Sequence, residues 1–335
     1  MSSQPPRVEI IAEAAQGFEG DPSLALRLTQ AAVQAGADAV KFQLVYADEL
    51  ATPDYQHYEL FRRLEMPRAA WQAVVDEAHG AGRHCYFDVF GPRSLAQAAD
   101  LGADGVKIHA SDLFNAELVS AAKGRASRLL LALGGVSADE LEVLLRRYAL
   151  APGDPVTLLY GVQAEPTPPE AIHLRRLGAL RARFPGYAFG FMDHTDGASP
   201  DALTVAAAAL PFGIACLEKH ITLDRTLELE DYVSALEPQA FAEFVRRIRV
   251  AEAALGAERL EPTPVEREYR RKVTKVVVAQ ERLRRGDVAT RGSLELKRTS
   301  QPVTTGSLHE LDRVIGRTLA VDVEPHQPIT AEMLA

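Results

Sequence analysis

The stretch AGADAVKFQ at residues 35–43 decides the fold, because it joins the end of a helical pattern to a short apolar run that closes on Lys41 and Gln43. Before it, residues 22–35 repeat apolar side chains at helical spacing, whereas Ala39–Phe42 is apolar without clean alternation. Short apolar runs of this kind are typical of parallel strands that are covered on both faces. The stretch therefore predicts a helix followed by a parallel strand.

The same order of strand and helix recurs along most of the chain. Eight apolar runs predict strands at Val8–Ala12, Ala39–Phe42, Cys85–Phe90, Gly105–Ile108, Leu129–Leu133, Val156–Tyr160, Tyr187–Met192 and Ile214–Glu218. Helical patterns are found at Pro22–Ala35, Arg68–Ala81, Ser94–Ala99, Ala138–Arg147, Ala171–Phe184, Asp201–Leu210 and Pro238–Leu255. Eight strands alternating with helices over about 250 residues predict a (β/α)8 TIM barrel of the α/β class. A doubly wound open sheet is the alternative, but no glycine-rich phosphate fingerprint follows the first strand.

The composition changes after the last helix of this series. A polar, proline-containing stretch, Gly256–Glu266, leads into the basic run Arg267–Lys272. Strand-like patterns then follow at Val273–Ala279, Leu294–Lys297 and Val314–Val321. We therefore expect a barrel domain over residues 1–256, a linker over 257–272 and a small, mostly β domain over 273–335.

Composition excludes two classes of partner. The chain of 335 residues carries 37 basic and 46 acidic side chains, which gives a net charge of −9. This excess of acid argues against a nucleic-acid-binding surface, which needs a basic face. No run reaches the roughly 18 apolar residues of a membrane helix. Cys85 and Cys216 lie far apart in apolar runs, which predicts two buried thiols and a reducing, cytoplasmic location.

Six of the eight predicted strands end in ionisable side chains. In a barrel the carboxyl ends of the strands meet at one rim, where their loops converge and the chemistry takes place. The polar residues at these ends are Glu13, Lys41, Gln43, Asp88, Lys107, His109, Asp193, His194, Glu218, Lys219 and His220. A single charge on a loop is ordinarily only solvated, yet packing gives no reason for so many at one rim. We therefore expect the functional site at this rim.

Two histidines and two lysines are the main candidates for chemistry. His194 and His220 end the seventh and eighth predicted strands, which are neighbours in a barrel. Two imidazoles beside a carboxylate such as Glu13 suit a divalent ion of the manganese, cobalt or zinc type, and a hydrogen-bonded structural pair is the alternative. Lys41 and Lys107 are natural contacts for a phosphate or carboxylate, although a strand-end lysine also serves as a Schiff base in aldolases.

With these residues the chain resembles the sialic acid synthase family, which includes N-acetylneuraminate, legionaminate and pseudaminate synthases and spore-coat polysaccharide relatives. The barrel motifs occur in the family's order: Ile10-Ile-Ala-Glu-Ala14, Ala35-Gly-Ala-Asp-Ala-Val-Lys-Phe-Gln43, Gly105-Val-Lys-Ile108, Glu165-Pro-Thr-Pro168, Asp193-His-Thr195 and Glu218-Lys-His-Ile-Thr-Leu-Asp-Arg225. The motifs Arg285-Gly-Asp287, Leu296-Lys-Arg298 and Val314-Ile-Gly316 resemble the family's antifreeze-like (SAF) domain. Together the motifs span nearly the whole chain.

The resemblance implies that phosphoenolpyruvate condenses with an open-chain N-acylated amino-sugar aldehyde to give a nonulosonic acid and phosphate. It implies a divalent metal, usually manganese with magnesium or cobalt as alternatives, held by His194 and His220. The metal would polarise the aldehyde, and Glu13 would be the base for an attacking water. The remaining implied contacts to substrate are Lys41 and Lys107 for the donor's anionic groups, then Gln43, Asp88, Gln163, Asp231 and Arg298. Arg298 would reach the partner subunit's barrel in a domain-swapped homodimer.

Hydroxyl groups are absent where this family usually has them. Asp88 replaces a phosphate-binding Thr, Ala110 and Met192 replace Ser residues, and Leu131-Ala-Leu-Gly134 replaces Leu-Ser-Thr-Gly. Gln163 and Glu165 occupy positions where Asn or Ser and an aromatic Tyr are common. Small hydroxyl donors hold phosphate oxygens, and Asp88 adds a repelling charge. We therefore expect a conserved barrel and metal site with a changed substrate or a changed mode of phosphate binding.

Two other functions are consistent with these departures. A metal-dependent aldolase or lyase would act on a related 2-keto acid without phosphoenolpyruvate. A non-catalytic homologue would only bind a sugar acid. The retained carboxylate, lysines and histidines argue against the non-catalytic homologue, because a binding module needs neither a metal nor a base.

Overall fold

The barrel predicted from the sequence is present in the structure, a computed structural model that describes residues 7–335. Eight parallel strands form a closed barrel in chain order, and the last strand pairs with the first. The strands are β1 (Glu9–Ala15), β2 (Ala39–Gln43), β3 (His84–Val89), β4 (Gly105–Ile108), β5 (Leu129–Ala132), β6 (Val156–Tyr160), β7 (Ala188–Asp193) and β8 (Cys216–His220). The first six residues of the predicted barrel domain lie outside the described residues.

Several strands extend further than the apolar pattern predicts. The first strand continues to Ala15, the seventh to Asp193 and the eighth to His220. Backbone pairing carries them on, because Glu13 pairs with Lys41 on one side and with His220 on the other. Most of the ionisable residues at the rim therefore belong to the sheet, whose regular hydrogen bonding fixes their direction, whereas His109 and His194 directly follow their strands.

Helices surround the barrel. They are α1 (Pro22–Gln34), α2 (Ala47–Leu50), α3 (Tyr58–Leu64), α4 (Arg68–Gly80), α5 (Pro92–Asp100), α6 (Ala116–Arg125), α7 (Ala138–Arg147), α8 (Pro169–Ile172), α9 (Leu174–Arg183) and α10 (Pro238–Leu255). The start of α1 is marked by Asp21, whose carboxylate accepts a hydrogen bond from the Ser23 N–H. A capping box between Ser137 and Glu140 begins α7, as the sequence predicts.

Two of the predicted helices have a different form. The helix expected over Ala171–Phe184 is divided into α8 and α9 at His173, whose φ of +48° is left-handed and interrupts the helical backbone. The helix expected over Asp201–Leu210 consists of two 3-10 segments, Pro200–Leu203 and Val205–Phe212. The second of these contains Pro211, which has no backbone N–H to donate within a helix.

An aromatic cluster ties the first strands to the outer helices. Trp71 on α4 is buried, and its ring contacts those of Phe18, Phe42 and Phe87 with centroids 5.0, 5.6 and 5.3 Å away. All three pairs have the edge-to-face geometry that aromatic rings prefer. The cluster holds β2 and β3, which carry two of the charged residues of the rim, against α4.

A second apolar layer fills the inside of the barrel. It consists of Ile11, Ala39, Tyr86, Leu130, Ala132, Leu159, Met192 and Cys216, with Ala110 packed against it. The barrel is therefore a packed core rather than a pore. Cys85 and Cys216 are both buried and free, and burial raises the pKa of the Cys216 thiol to about 12. Neither thiol is activated for nucleophilic chemistry.

The remaining residues form a separate compact unit, Glu258–Ala335. Its antiparallel pair is β9 (Val276–Ala279) with β10 (Leu294–Lys297). The strand expected over Val314–Val321 is wrong: only isolated bridges form there, because Gly316 turns the backbone with a φ of +81°. The predicted linker over 257–272 contains a helix, α11 (Pro264–Val273), which begins at a capping box between Thr263 and Glu266. This capping motif explains why the basic run is helical.

Within residues 7–335, no helix has both the length and the hydropathy that crossing a membrane requires. The sequence predicts the same from the absence of a long apolar run.

The aromatic cluster gives a direct test of core packing. We expect Phe87→Ala to lower the free energy of unfolding by about 3–5 kcal/mol, because it leaves a cavity beside Trp71. Trp71 is the sole tryptophan of the chain, so its fluorescence during urea unfolding reports on this region. Phe114, whose side chain is exposed, is the matched control, and Phe114→Ala should change stability by less than about 0.5 kcal/mol. Equal effects of the two substitutions would contradict this packing.

Candidate functional site

Alternation along the strands places the charged residues above the apolar barrel interior. Ile11, Ala39, Tyr86 and Cys216 belong to the inner apolar layer. Two residues further along each strand are Glu13, Lys41, Asp88 and Glu218. Because side chains of a strand point to one face at every second position, this second set lies inside the barrel, nearer its carboxyl end.

A buried charge cluster results, which consists of Glu13, Lys41, Asp88, Lys107 and Glu218. The Lys41 ammonium contacts Glu13 closely, Asp88 Oδ1 at 2.6 Å and Glu218 Oε2 at 3.5 Å. The Lys107 ammonium lies 2.8 Å from Glu218 Oε1, 3.1 Å from Asp88 Oδ2 and 3.6 Å from Glu13 Oε2. All five side chains are almost completely buried. Three carboxylates thus share two ammonium groups, which leaves an excess of negative charge.

The mutual contacts set the charges of this cluster. Burial lowers the pKa of Lys41 to about 8, although Asp88 and Glu218 oppose that shift. Burial acts in the same direction on Lys107, but there Asp88 and Glu218 outweigh it and raise the pKa. Burial favours the protonated form of Glu218, yet Lys107 and Lys41 hold its pKa at about 2. Lys107 and Glu218 are therefore both charged at neutral pH.

The bulge at the end of β1 orients Glu13. The strand register shifts between Glu13 and Ala15, and Ala15 has a φ of +45°, which is uncommon for a residue with a side chain. The Ala15 N–H donates a hydrogen bond of 2.8 Å to Glu13 Oε1. The other carboxylate oxygen, Oε2, faces both lysines. Glu13 is thus held by the backbone on one oxygen and by charge on the other.

The two predicted histidines come together beside this cluster. Their ring centroids are 5.1 Å apart, and both side chains are buried. Burial lowers the pKa of His194 to about 4 and that of His220 well below its ordinary value, so both imidazoles are neutral at neutral pH. The Nδ1 atom of each ring is buried without a hydrogen-bond partner among the residues that the structure describes.

Glu165 lies next to the histidines, and the three residues fit a metal ion. One potential ligand atom of each lies within 4.8 Å of those of the other two. Neutral imidazoles and a carboxylate are donors for first-row divalent ions, and the unpartnered ring nitrogens indicate that hydrogen bonding within the described residues does not account for the pair. The two histidines predicted from the sequence therefore fit the implied metal, and the Glu165 carboxylate lies within reach of the same position.

Lys219 and Asp193 support the chain around His194. The Lys219 ammonium donates to the Thr195 carbonyl oxygen at 2.8 Å and lies 3.4 Å from Asp193. Asp193 in turn accepts hydrogen bonds from the N–H and the hydroxyl of Thr195. These buried contacts fix the backbone on both sides of His194, so Lys219 has a structural place outside the cavity.

A cavity of about 690 Å³ opens above the charge cluster. Four carboxylates and one lysine are among the described side chains that line it, namely Glu13, Glu165, Glu218, Asp231 and Lys107, and both histidines lie on its wall. Lys41 and Asp88 do not line the cavity, because they lie beneath it with no exposed surface. A ligand in the cavity can therefore contact Lys107 directly. Lys41 is separated from such a ligand by the carboxylates with which it pairs.

The other predicted contacts are distributed around this cavity. Gln43 lines it and accepts a hydrogen bond of 2.6 Å from Gln16, while Gln163 lies 3.1 Å from the His109 ring. Asp231 shares a hydrogen bond with Glu165. Burial, together with the negative charge of Glu165, raises the pKa of Asp231 to about 7. Arg298 belongs to the second unit, where it is exposed and donates to the Val273 carbonyl oxygen at 3.1 Å.

The sequence predicts Glu218 only as one of the polar residues at the rim and Glu165 only as part of a motif, without a role in the site for either. Glu218 lies two residues before His220 on the same strand, so the alternation of β8 was a signal that both side chains point inward. The only sequence signal for Glu165 was its position in a family motif. The loop after β6 has no periodicity that would indicate where the Glu165 side chain points.

A closed (β/α)8 barrel with lysines, carboxylates and paired histidines at the carboxyl ends of its strands has the architecture of a barrel enzyme. Comparison with family models makes the assignment definite. The chain belongs to the NeuB family, whose model matches residues 28–259, and a SAF domain model matches residues 274–335.

Characterised relatives carry the names of sialic-acid-type synthases. The chain is 26% identical over 332 residues to N,N'-diacetyllegionaminic acid synthase of Legionella pneumophila, covering 94% of this chain and 91% of that protein. It is 28% identical over 341 residues to human N-acetylneuraminate-9-phosphate synthase, covering 97% and 92%. The crystal structure of the sialic acid synthetase of Leptospira borgpetersenii in complex with citrate has a TM-score of 0.73 and 26% identity, covering 82% of this chain and 98% of that one.

The unequal charges of the cluster predict an order of stabilities. Lys41→Met leaves three buried carboxylates with one ammonium group and should lower the free energy of unfolding by about 3–5 kcal/mol. Asp88→Asn leaves two carboxylates with two ammonium groups, so we expect a smaller loss. Urea unfolding followed by Trp71 fluorescence measures both. A larger loss for Asp88→Asn would mean that the cluster is not over-supplied with negative charge.

Proposed function

We propose that this protein makes a nonulosonic, sialic-acid-like acid by condensing phosphoenolpyruvate with an N-acylated amino-sugar aldehyde, with release of phosphate. The observation that carries the proposal is the cavity in which Glu13, Lys107, His194 and His220 meet at the carboxyl ends of the barrel strands. The names of relatives that align over nearly the whole chain support the class of product.

A divalent ion held by His194 and His220 would supply Lewis-acid polarisation of the sugar aldehyde. Lys107 lines the cavity, and it would hold an anionic group of the donor. Glu13 Oε1 accepts a hydrogen bond from the backbone, and its Oε2 faces the lysines. Glu13 would accept the proton of the water that adds to the donor. Asp231 and Gln163, which also line the cavity, would contact the sugar hydroxyls.

The donor site also supports a second candidate, an aldolase or lyase that acts on a related 2-keto acid without phosphoenolpyruvate. Asp88 forms ion pairs with both lysines beneath the cavity, at 2.6 Å from Lys41 and 3.1 Å from Lys107. Ala110, Ala132 and Met192 have no hydroxyl group that could donate to phosphate oxygens, and they pack together in the apolar layer inside the barrel. An unphosphorylated donor would need neither the hydroxyl groups nor unpaired lysines.

Product analysis separates the two candidates. Metal-loaded protein incubated with phosphoenolpyruvate and a panel of N-acylated hexosamines should release phosphate only when a sugar is present. His194→Ala should abolish this release, because it removes a proposed metal ligand, whereas Glu170→Gln, an exposed substitution outside the cavity, should not change it. Absence of release with every sugar, together with pyruvate formation from a nonulosonic acid, would replace the synthase by the lyase.

The SAF domain adds a proposal about assembly. We propose the domain limits 1–256 and 273–335, and a domain-swapped homodimer in which Arg298 completes the partner subunit's site. The proposal comes from the family resemblance around Leu296-Lys-Arg298. A linker over 257–272, whose second half is the helix α11, would carry the second domain away from its own barrel.

Mixing two inactive variants tests the exchange. His194→Ala lacks a metal ligand in its barrel, and Arg298→Ala lacks the arginine that would be offered to the partner. After subunit exchange each heterodimer should regain one of its two sites, because one barrel then has both features intact. Sedimentation and mass measurement of a tagged copy verify the exchange. Exchange without recovered activity, or activity in a protein that sediments as a monomer, would refute the swapped arrangement.

A further inference from the structure

Three consecutive strands of the barrel bring Glu165, His194 and His220 to one wall. Glu165 lies in the loop after β6, His194 directly follows β7, and His220 is the last residue of β8. β6 pairs with β7, and β7 pairs with β8. The potential ligand atoms of the three residues lie within 4.8 Å of one another, which is a separation that one ion spans.

The Glu165 loop is attached to the backbone of His194. The Thr167 N–H donates a hydrogen bond of 2.9 Å to the His194 carbonyl oxygen. The buried Thr167 hydroxyl lies 2.7 Å from each of the Val162 and Ala164 carbonyl oxygens, which closes the loop on itself. Ser234 also donates to the His194 carbonyl oxygen, at 3.0 Å. Glu165 is therefore held at a defined distance from the histidine pair.

Both histidines lack partners that would account for their burial. His194 is 5% exposed and His220 is 6% exposed, and the Nδ1 atom of each makes no hydrogen bond with any of residues 7–335. A buried, unsatisfied ring nitrogen is costly unless a ligand compensates for it. Glu165, in contrast, presents an exposed side chain at the cavity wall, where its carboxylate is accessible to an ion.

We propose that Glu165 is a third protein ligand, so that this chain binds its divalent ion through two imidazoles and one carboxylate. The inference rests on the metal site of the proposed function and deepens it. An anionic third ligand strengthens binding of a dication, and two nitrogen ligands with one oxygen ligand favour manganese, iron, cobalt or zinc over magnesium. Three protein ligands leave open positions at the ion for oxygen atoms of a substrate.

Metal binding without substrate tests the proposal. Full-length protein freed of metal with a chelator is titrated with Mn²⁺, and the free ion is followed by electron paramagnetic resonance. We expect one ion per chain, and weakening by at least about tenfold in Glu165→Gln, since even outer-shell changes cost about that much. Glu170→Gln, an exposed and isosteric change on α8, is the matched control and should bind as the unchanged protein does. The absorption spectrum of bound Co²⁺ should change in Glu165→Gln, because one ligand is replaced.

The outcomes separate this proposal from the proposed function. If Glu165→Gln keeps the affinity and the Co²⁺ spectrum of Glu170→Gln while His194→Ala loses the ion, Glu165 is not a ligand and the two-histidine site remains. If the unchanged protein binds no divalent ion, the third ligand and the metal-dependent synthase are both overturned. Circular dichroism of each variant verifies that the barrel is folded.

Discussion

The site depends on one constraint, the burial of two ammonium groups and three carboxylates inside the mouth of the barrel. Isolated charges cannot be buried at such depth, and these are tolerated because each lysine contacts every carboxylate within 3.6 Å. The contacts join β1, β2, β3, β4 and β8, so they require the closed barrel and its register. Glu13, Lys107 and Glu218 of this cluster line the same cavity as the two histidines.

The cluster also determines what the cavity can bind. Its carboxylates exceed its lysines by one, and Glu165 and Asp231 add acidic groups at the wall. A phosphorylated donor would enter a site that already holds negative charge. A divalent cation on the histidines would offset part of that charge. Binding of a metal and binding of an anionic donor are therefore expected to be electrostatically linked in this protein.

Family membership and local chemistry carry different information. The NeuB match and the sialic-acid-type synthases among the relatives indicate the kind of product, whereas Asp88, Glu165, Ala110 and Met192 are properties of this chain. Because Asp88 forms ion pairs with Lys41 and Lys107, both lysines already have a partner within the protein. Glu165 places a carboxylate at the histidines. Asp88 therefore bears on the lysines proposed to contact the donor, whereas Glu165 bears on the proposed metal site.

The sequence by itself determined the barrel and the place of its chemistry, because strand length, apolar composition and terminal charges are local properties. It also predicted the histidine pair, since consecutive strands of a barrel are neighbours. It could not predict that Asp88 pairs with both lysines, that Glu218 completes the cluster, or that Glu165 approaches the histidines. Nor did it predict the helix in the linker or the 3-10 segments before β8, whose form depends on caps and prolines. Those features were decided by the tertiary structure, because inter-strand register and loop direction set distances between residues that are far apart in the chain.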